Sequence, residues 1–327
     1  MECVRYDTRG PPSVLSLNSV PIPKADKPGQ VLIKVHYAGV NPVDTHLRGT
    51  HHPRLTVDLP ATPGKDAAGT VENVGPEVTQ FKVGDRVFVS NHSFRSGGTY
   101  APYHLAHEDE VHHLPESYTL QEGASLGSPY FTAIRALFIA AKAKKGESLL
   151  IHGASGAVGT ACVQLGIAHG LKVYGTAGTE GGIQRLKTAG VAGVYNHRAT
   201  GYIENIKQEF GVRGVNIIIE MAAGHNLQKD IELLSRKGRI VIVGGTGSVS
   251  ITPALILAKE AIVTGVKLAD STKEEWSEMS KVLTDGLKAG YLRPTLHKEY
   301  PLREAEKAHH DLENTDGSQG KLLLKVI

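Results

Sequence analysis

The sequence has little cysteine and little net charge, and each shortage excludes a class of protein. Cys3 and Cys162 are the only cysteines among 327 residues, too few and too far apart for the disulfide framework of a small secreted domain. The formal net charge is +3 at pH 7, which gives no electrostatic argument for binding nucleic acid or a membrane surface.

Long apolar runs are also missing. No uninterrupted apolar run reaches the roughly 20 residues that a transmembrane helix needs. The opening stretch "MECVRYDTRG" has no apolar core and does not resemble a signal peptide. We therefore expect a cytoplasmic protein in a reducing compartment, with no membrane partner.

What the sequence does contain changes in character near Gly123. Before it, short valine-rich runs such as "QVLIKVHYAGV" and "VGDRVFVS" stand between glycine and proline signals and predict a β-rich, partly rolled domain. After it, apolar strand patterns alternate with helical ones, and a parallel sheet buried on both faces is expected. The strand candidates are "SLLIHG", "LKVYGT", "GVYNH", "VNIIIEM" and "GRIVIVGG"; the helix candidates include "GAVGTACVQLGIAHG", "EGGIQRLKTAG" and "NLQKDIELLSRKG".

These patterns predict an α/β protein of two domains, one β-rich and one doubly wound. We assign 1–122 and 267–327 to the β-rich domain and 123–266 to a doubly wound domain. The last segment includes an amphipathic helix, "TKEEWSEMSKVLTDGLKAG", and a closing strand, "GKLLLKVI", which has no sheet of its own and is expected to return to the first domain. The stretch "SVSITPALIL" is a candidate edge strand for pairing with a second copy of the chain.

A glycine-rich turn opens the doubly wound domain. The motif "GASGAVG" lies between a predicted strand and a predicted helix, where backbone amide groups and the helix dipole suit a pyrophosphate. Gly156 allows a phosphate to approach the backbone, and Gly159 allows the helix to pack on the strand. Ala154 replaces the usual first glycine, so the turn needs only a small residue with ordinary dihedral angles. The strand–turn–helix context favours a dinucleotide site over a purely structural turn.

The next strand indicates which dinucleotide binds. Folds that prefer NAD place a carboxylate at its end, for the ribose 2′-hydroxyl. Here Gly175 and Thr176 occupy that end, and no carboxylate comes before Glu180. Thr176, Thr179 and the backbone at Gly178 are candidate donors to a 2′-phosphate. We expect NADPH to be preferred over NADH, with a non-selective site as the alternative.

The order of these parts resembles the medium-chain dehydrogenase/reductase superfamily, and in particular its zeta-crystallin or NADPH:quinone oxidoreductase branch. The resembling stretches are "VLIKVHYAGVNPVDT", "TPGKDAAGTVENVG", "KVGDRVF", "PYFTAIRAL", "HGASGAVG", "GTAGTEGG", "NIIIEM" and "TKEE". The resemblance implies an α/β fold with a GroES-like catalytic domain and a Rossmann nucleotide-binding domain.

The resemblance also implies cofactor-binding residues at matching positions. By resemblance, the pyrophosphate would be bound by Ser155, Gly156, Ala157 and Val158, and the adenosine by Gly178, His197 and Asn226. The nicotinamide side would be bound by Val243, Gly244, Gly245, Thr246, Val266, Lys267 and Leu268. For His197 only the resemblance suggests a role, because the residue alone is typical of a loop histidine.

Zinc ligands are missing where zinc-dependent members of the superfamily have them. Asn41 and the "GKD" motif at 64–66 stand at those places, and asparagine and lysine do not ligate zinc in such sites. The pairs His51-His52, His112-His113 and His309-His310 have no cysteine partners, so we interpret them as solvated histidines and expect no metal.

Without a metal, hydrogen-bond donors must stabilise the oxygen that becomes negative on reduction. The resembled branch often has a tyrosine in an "NPxDxY" pattern, where this chain has His46. Imidazole can also donate a hydrogen bond, so His46 is a candidate for both catalysis and cofactor contact. Asn41 is the other polar candidate, Asp44 is interpreted as fixing the loop, and the resemblance places Thr132 beside the nicotinamide. "VNPVD" is equally typical of a plain turn.

The resemblance implies a zinc-independent NADPH-dependent reductase of quinones, with one-electron reduction of ortho-quinones as the expected chemistry. The alternatives are a 2-alkenal or enone reductase, a soluble crystallin-like protein, or a protein that binds single-stranded AU-rich RNA. The sequence shows no aromatic and basic stripe that would support RNA binding independently. The resemblance further implies a homo-oligomer, either a dimer or a tetramer.

Overall fold

The computed structural model describes residues 1–49, 57–92, 97–245, 247–314 and 319–327. Strands and α-helices are numbered in chain order within these residues. The strands are β1 (Glu2–Arg5), β2 (Ser16–Ser19), β3 (Gln30–Val40), β4 (Asp66–Val74), β5 (Arg86–Ser90), β6 (Tyr103–His107), β7 (Val111–His113), β8 (Ser148–Ile151), β9 (Lys172–Ala177), β10 (Gly193–Asn196), β11 (Val215–Glu220), β12 (Leu234–Ile242), β13 (Ile262–Gly265), β14 (Leu296–Pro301) and β15 (Lys321–Lys325). The helices are α1 (Pro42–Gly49), α2 (Leu120–Gly123), α3 (Gly127–Ile134), α4 (Ala157–Ala168), α5 (Glu180–Thr188), α6 (Tyr202–Phe210), α7 (Ala223–Leu233), α8 (Pro253–Lys259), α9 (Lys273–Ala289) and α10 (Ala305–Asn314).

The chain divides into two compact units. Met1–Ser128, Pro294–Asp316 and Gly320–Ile327 make up unit 1, and Pro129–Arg293 with Gly317–Gln319 makes up unit 2. No helix in the described part of the chain is long and apolar enough to cross a bilayer.

Unit 1 is the predicted β-rich unit. Its main sheet has the order β14-β15-β3-β4-β5-β7, with β6 also paired to β3. The closing strand β15 pairs antiparallel with β3, placing Leu323 opposite Gly39. This confirms that the last strand returns to the first unit. Gly39 is required there because a Cβ atom would lie 2.2 Å from the backbone oxygen of Ala124.

Unit 2 is a doubly wound α/β unit. Its six strands are parallel in the order β10-β9-β8-β11-β12-β13. The central strands are apolar on both faces, and the side chains of Leu149, Leu150 and Ile151 in β8 are fully buried. Burial on both faces is the reason why these strands read as continuous apolar runs rather than alternating ones. The predicted fold class is confirmed.

The bounds of the units differ from the predicted domain bounds of 1–122 with 267–327 and 123–266. Helix α9 belongs to unit 2, where the Trp276 ring packs edge-on against Phe131 with 5.0 Å between centroids. Arg135 also pairs with Glu275 at 3.0 Å. Sequence patterns show where a helix lies but not which unit its apolar face covers.

Three local predictions were wrong. Helix α7 ends at Leu233 and the predicted helical residues that follow it start β12. The candidate edge strand "SVSITPALIL" contains α8 instead, because Pro253 occupies the first turn of a helix, where its missing N–H costs nothing. His309 is fully buried rather than solvated, and its ring contacts Arg48 Nη1 at 3.0 Å and the Tyr100 hydroxyl at 3.1 Å. His51 and His52 lie outside the described residues.

Candidate active site

The phosphate turn of unit 2 joins β8 to α4. Gly153, with φ of +66°, donates its N–H to Thr176 Oγ1 at 3.0 Å. Ala154 donates its N–H to the backbone oxygen of Thr176 at 2.8 Å, so the turn is tied to β9 at two points. Gly156 caps α4 and supplies no side-chain acceptor to the amide groups of the first helical turn. Such a helix start binds phosphate through those amides and the helix dipole.

The turn requires small residues because three backbone segments meet there. A Cβ atom on Gly159 would lie 2.4 Å from the Gly153 backbone oxygen and 2.6 Å from Ala154 Cα. The Ala154 side chain is fully buried, and a Cβ on Gly175 would lie 2.6 Å from it. The left-handed conformation falls on Gly153 rather than on Ala154. An alanine therefore suffices at that position, as the sequence predicts.

Two of the three residues predicted at the adenosine end, Gly178 and His197, lie together. A Cβ atom on Gly178 would lie 2.4 Å from His197 Nε2. The backbone N–H of His197 donates to the backbone oxygen of Ala177 at 3.2 Å. The same position on Gly178 lies 2.9 Å from Arg198 Nε. Sequence reasoning missed Arg198, although a basic residue directly after a predicted strand of this fold was the available signal.

The structure corrects the prediction that Thr176 donates a hydrogen bond to a 2′-phosphate. Its side chain is fully buried, and its hydroxyl oxygen accepts the Gly153 N–H. Thr176 therefore braces the phosphate turn from inside the sheet rather than facing a ligand. Thr179 caps α5, where its hydroxyl oxygen accepts the Gly182 N–H at 3.1 Å.

The remaining residues predicted to bind the cofactor follow the ends of β11, β12 and β13. In a parallel sheet the carboxyl ends of these strands share one edge with the phosphate turn. Val243 and Gly244 donate their N–H groups to the Glu220 backbone oxygen at 2.8 and 3.2 Å. Asn226, on α7, donates to Glu220 Oε1 at 3.3 Å. Gly245 is exposed, and Thr246 lies outside the described residues.

Residues Val266, Lys267 and Leu268 come directly after β13, the edge strand of this sheet. Val266 donates its N–H to the Ile242 backbone oxygen at 3.0 Å. Lys267 pairs with Asp270 at 2.8 Å. Ser155, Ala157 and Val158 lie in the turn and the first turn of α4. The described residues that are predicted to bind the cofactor thus belong to unit 2, except for His46.

Unit 1 contains a buried polar network centred on Asp66. Asp66, at the start of β4, accepts hydrogen bonds from Asn41 Nδ2 at 2.9 Å and from Ser128 N and Oγ, both at 2.7 Å. Lys321, from β15, donates to Asp66 Oδ2 at 3.1 Å and also to Asn41 Oδ1. The side chains of Lys321 and Asp66 are 3% and 0% exposed, so their opposite charges compensate each other away from water.

Asp44 holds the loop that carries Asn41, as the sequence predicts. Its Oδ2 atom accepts the Asn41 N–H at 2.8 Å. Burial and the nearby Asp66 charge raise the pKa of Asp44 to about 7. Burial lowers the pKa of Lys65 to about 7. Unit 1 thus contains a buried acid and a buried base whose pKa values are both shifted toward neutrality by burial, a feature that often marks a functional site.

The three predicted catalytic residues do not all lie in one unit. Asn41 is buried and follows β3, and His46 is an exposed residue of α1. Both belong to unit 1, whereas Thr132 is a half-buried residue of α3 in unit 2. Sequence reasoning missed Lys321, the residue that binds Asn41, because 280 positions separate them.

Comparison with known proteins identifies the family. A model described as the alcohol dehydrogenase GroES-like domain matches residues 27–116, and one described as zinc-binding dehydrogenase matches 157–285. The chain is 47% identical to the quinone oxidoreductase of Mus musculus over 329 aligned residues, which cover 99% of this chain and 97% of the relative. The chain belongs to the quinone oxidoreductase family. This is the zeta-crystallin branch of the medium-chain dehydrogenase/reductase superfamily.

Other members agree with this assignment. The quinone oxidoreductase of Sus scrofa is 48% identical over 99% of this chain and 97% of its own. The solved structure of the Escherichia coli quinone oxidoreductase complexed with NADPH is 27% identical, has a TM-score of 0.88 and covers 100% of both chains. The structural similarity at this identity extends over both units.

Asn41 and Lys65 are the residues that the resemblance places at zinc-ligand positions of other superfamily members. In this chain Asn41 donates a hydrogen bond to Asp66, and the charges of Asp44, Glu110 and Asp66 act on Lys65. Among the described residues, one group of histidine and carboxylate side chains is close enough to share an ion: His152, Glu220 and Asp230 of unit 2. The absence of a metal remains a prediction.

Proposed function

We propose that this protein is a zinc-independent, NADPH-dependent reductase of quinones. The observation that carries the proposal is its 47% identity to a mouse quinone oxidoreductase over nearly the whole chain. The related E. coli quinone oxidoreductase was solved in complex with NADPH, and unit 2 here has the turn, the small residues and the strand edge that such a cofactor requires.

Within this proposal the dinucleotide lies along the carboxyl edge of the unit 2 sheet. The residues that would hold it are Ser155, Gly156, Ala157 and Val158 at the pyrophosphate; Gly178, His197 and Asn226 at the adenosine; and His46, Val243, Gly244, Gly245, Thr246, Val266, Lys267 and Leu268 at the nicotinamide end. The cofactor would supply the electrons. The protein would bind it, orient it and place hydrogen-bond donors at the acceptor.

We assign three roles to polar side chains at the acceptor. His46 would donate a hydrogen bond to the oxygen that becomes negative, because its imidazole is exposed on α1. Asn41 would be the second donor, held in place by its side-chain hydrogen bonds to Asp66 and Lys321. Thr132 would contact the nicotinamide. Donors placed at a developing oxyanion typically contribute about 10²–10³ in rate.

The electrons can be transferred in two ways. A hydride adds both electrons to one quinone, which takes up a further proton to give the hydroquinone. In one-electron transfer two ortho-quinones would each take one electron from the bound cofactor, leaving NADP⁺, one proton and two radical anions. We propose the second route for ortho-quinones; a 2-alkenal or enone can accept only the hydride.

The decisive experiment measures oxidation of NADPH and NADH with an ortho-quinone, with a 2-alkenal, and with each in the presence of a zinc chelator. We expect quinone turnover that prefers NADPH and is unchanged by chelator, together with a radical signal in electron paramagnetic resonance. Turnover of the alkenal alone would replace the quinone assignment with that of an enone reductase. Loss of activity with chelator would contradict the zinc-independent mechanism.

Arg198 gives a sharper test of the cofactor. Arg198→Gln removes the guanidinium that lies beside Gly178. A charged hydrogen bond is worth about 1.5–3 kcal/mol, so we expect kcat/KM for NADPH to fall at least about tenfold and that for NADH to be unchanged. Arg213→Gln, an exposed arginine of the same unit, is the control. Equal losses with both nucleotides would contradict a contact with the 2′-phosphate.

The proposal also includes a cytoplasmic homo-oligomer, either a dimer or a tetramer, which light scattering would test. Binding of single-stranded AU-rich RNA and a crystallin-like role remain predictions from the resemblance. A formal net charge of +3 gives RNA binding no independent support.

A further inference from the structure

Three ionisable side chains meet in the interior of unit 2. His152 follows β8, Glu220 ends β11, and Asp230 lies on α7. His152 Nε2 is 2.9 Å from Asp230 Oδ1 and 3.7 Å from Glu220 Oε2. Their side chains are 3%, 0% and 0% exposed. We call these three residues the buried triad.

The buried triad has no ion-paired cation among the described residues. Among the described residues, no lysine or arginine forms an ion pair with Glu220 or Asp230. With both carboxyl groups ionised and a neutral imidazole, the triad would carry two negative charges away from water, which is very unfavourable. The triad must therefore hold either protons or a cation.

Distance and burial favour protons over a metal. His152 Nε2 and Asp230 Oδ1 approach to 2.9 Å, but neither atom, nor Glu220 Oε2, makes a hydrogen bond within the described part of the chain, so each group must balance its own charge. Zinc with three protein ligands keeps an open position for water or substrate, whereas this group of three donor side chains is closed to solvent. Burial raises the pKa of Glu220 and that of Asp230 to about 7, and burial lowers the pKa of His152. All three shifts oppose charge.

Glu220 connects the triad to the predicted cofactor loops. Its Oε1 atom accepts hydrogen bonds from the Ala222 N–H and from Asn226 Nδ2. Its backbone oxygen accepts the N–H groups of Val243 and Gly244 at 2.8 and 3.2 Å. The loops after β11 and β12 are thus attached to one residue whose free carboxyl oxygen faces the other triad members.

His152 connects the triad to the third loop. The backbone N–H of His152 donates to the Ile219 backbone oxygen at 3.0 Å, and the phosphate turn begins at the next residue. A change in the triad therefore reaches the turn after β8 as well as the loops after β11 and β12.

We infer that His152, Glu220 and Asp230 are positioning residues that hold the cofactor loops while their carboxyl groups carry protons, so that NADPH binds more weakly once those protons are lost. This inference rests on the proposed NADPH site. When both carboxyl groups ionise, their repulsion acts on Glu220 and is transmitted to Asn226, Val243 and Gly244. None of the triad is required to touch the cofactor.

The other titratable groups near the triad come from three elements. Tyr202 lies on α6, and burial together with the Asp230 and Glu220 charges raises its pKa, so it stays neutral. Lys229 is an exposed residue of α7, and its charge lowers the pKa of Asp230 without an ion pair. His197 follows β10, and partial burial and the Arg198 charge lower its pKa. The cations therefore oppose, and do not cause, proton uptake by the triad.

The test compares NADPH dissociation constants between pH 6 and 9 for the whole protein and for Glu220→Gln. The amide keeps an acceptor for Ala222 and Asn226 but cannot ionise. We expect the affinity of the unmodified protein to fall about fivefold more than that of E220Q across this range, within the tenfold per pH unit that one linked proton allows. Glu232→Gln, an exposed carboxyl on the same helix, should retain the full pH dependence.

Two further measurements separate the outcomes. Asp230→Asn should flatten the pH profile as E220Q does, whereas kcat at saturating NADPH should change less than twofold in both variants. Equal pH profiles for all variants would overturn the inference. It would also be overturned if the purified unmodified protein held one equivalent of zinc and D230N held none. If the unmodified protein fails to bind NADPH at any pH, the proposed function fails first, and this result is distinct from a triad that has no effect.

Discussion

Replacing Lys321 by methionine should destabilise unit 1 by about 3 kcal/mol, near the lower end of the range for breaking a buried ion pair. The ammonium group compensates the Asp66 carboxylate at 3.1 Å, and neither side chain is accessible to water. Methionine keeps the volume of the stem but leaves Asp66 charged and buried. The loss stays near the lower end because Asn41 and Ser128 still donate to Asp66.

The measurement must report on unit 1 alone, because two compact units need not unfold in one step. Trp276, the single tryptophan, lies in unit 2, so its fluorescence reports on the other unit. Denaturant-dependent hydrogen exchange of the backbone amides in β3 and β15 reports the free energy of unfolding of unit 1. The double variant D66N/K321M should recover most of the loss, and Lys325→Met, exposed on the same strand, should change stability by less than about 0.5 kcal/mol. No recovery in the double variant would show that charge compensation is not the cause.

Gly159→Ala should displace the phosphate turn and reduce NADPH affinity at least about tenfold, which corresponds to about 1.4 kcal/mol. The added Cβ would meet the Gly153 backbone oxygen at 2.4 Å and Ala154 Cα at 2.6 Å. Backbone atoms cannot rotate away as a side chain can, so α4 or the turn must shift. Overpacking of this kind also costs about 1–3 kcal/mol of stability, and the melting temperature should fall.

Gly181→Ala provides a matched control. It is the same substitution on α5 of the same unit, where the nearest atom to the new Cβ is Arg185 Nη1 at 3.5 Å. Alanine is favoured over glycine inside a helix by roughly 0.5–1 kcal/mol, so this variant should be slightly more stable and bind NADPH unchanged. A tenfold loss of affinity in both variants would show that the close approach at Gly159 is not responsible.

Local patterns predicted the nucleotide-binding unit well. The apolar strands, the glycine turn and the small residue at Ala154 follow from short-range rules, because burial on both faces and the tight turn each leave a mark within a few residues. The same rules failed at Pro253, whose helix start was interpreted as an edge strand, and at Leu234, where a strand follows α7 without a break. Helical and strand patterns overlap in such short apolar stretches.

The sequence by itself determined the two-part architecture and the glycine-rich turn between β8 and α4, whereas the replacement of zinc ligands by Asn41 and Lys65 stays a prediction. Only the tertiary structure decided that Lys321 balances Asp66, that Arg198 lies beside Gly178, and that the buried triad supports three loops at once. The physical reason is that charge compensation depends on distance in space, and its partners come from separate strands and helices. Spacing along the chain carries no record of such pairs.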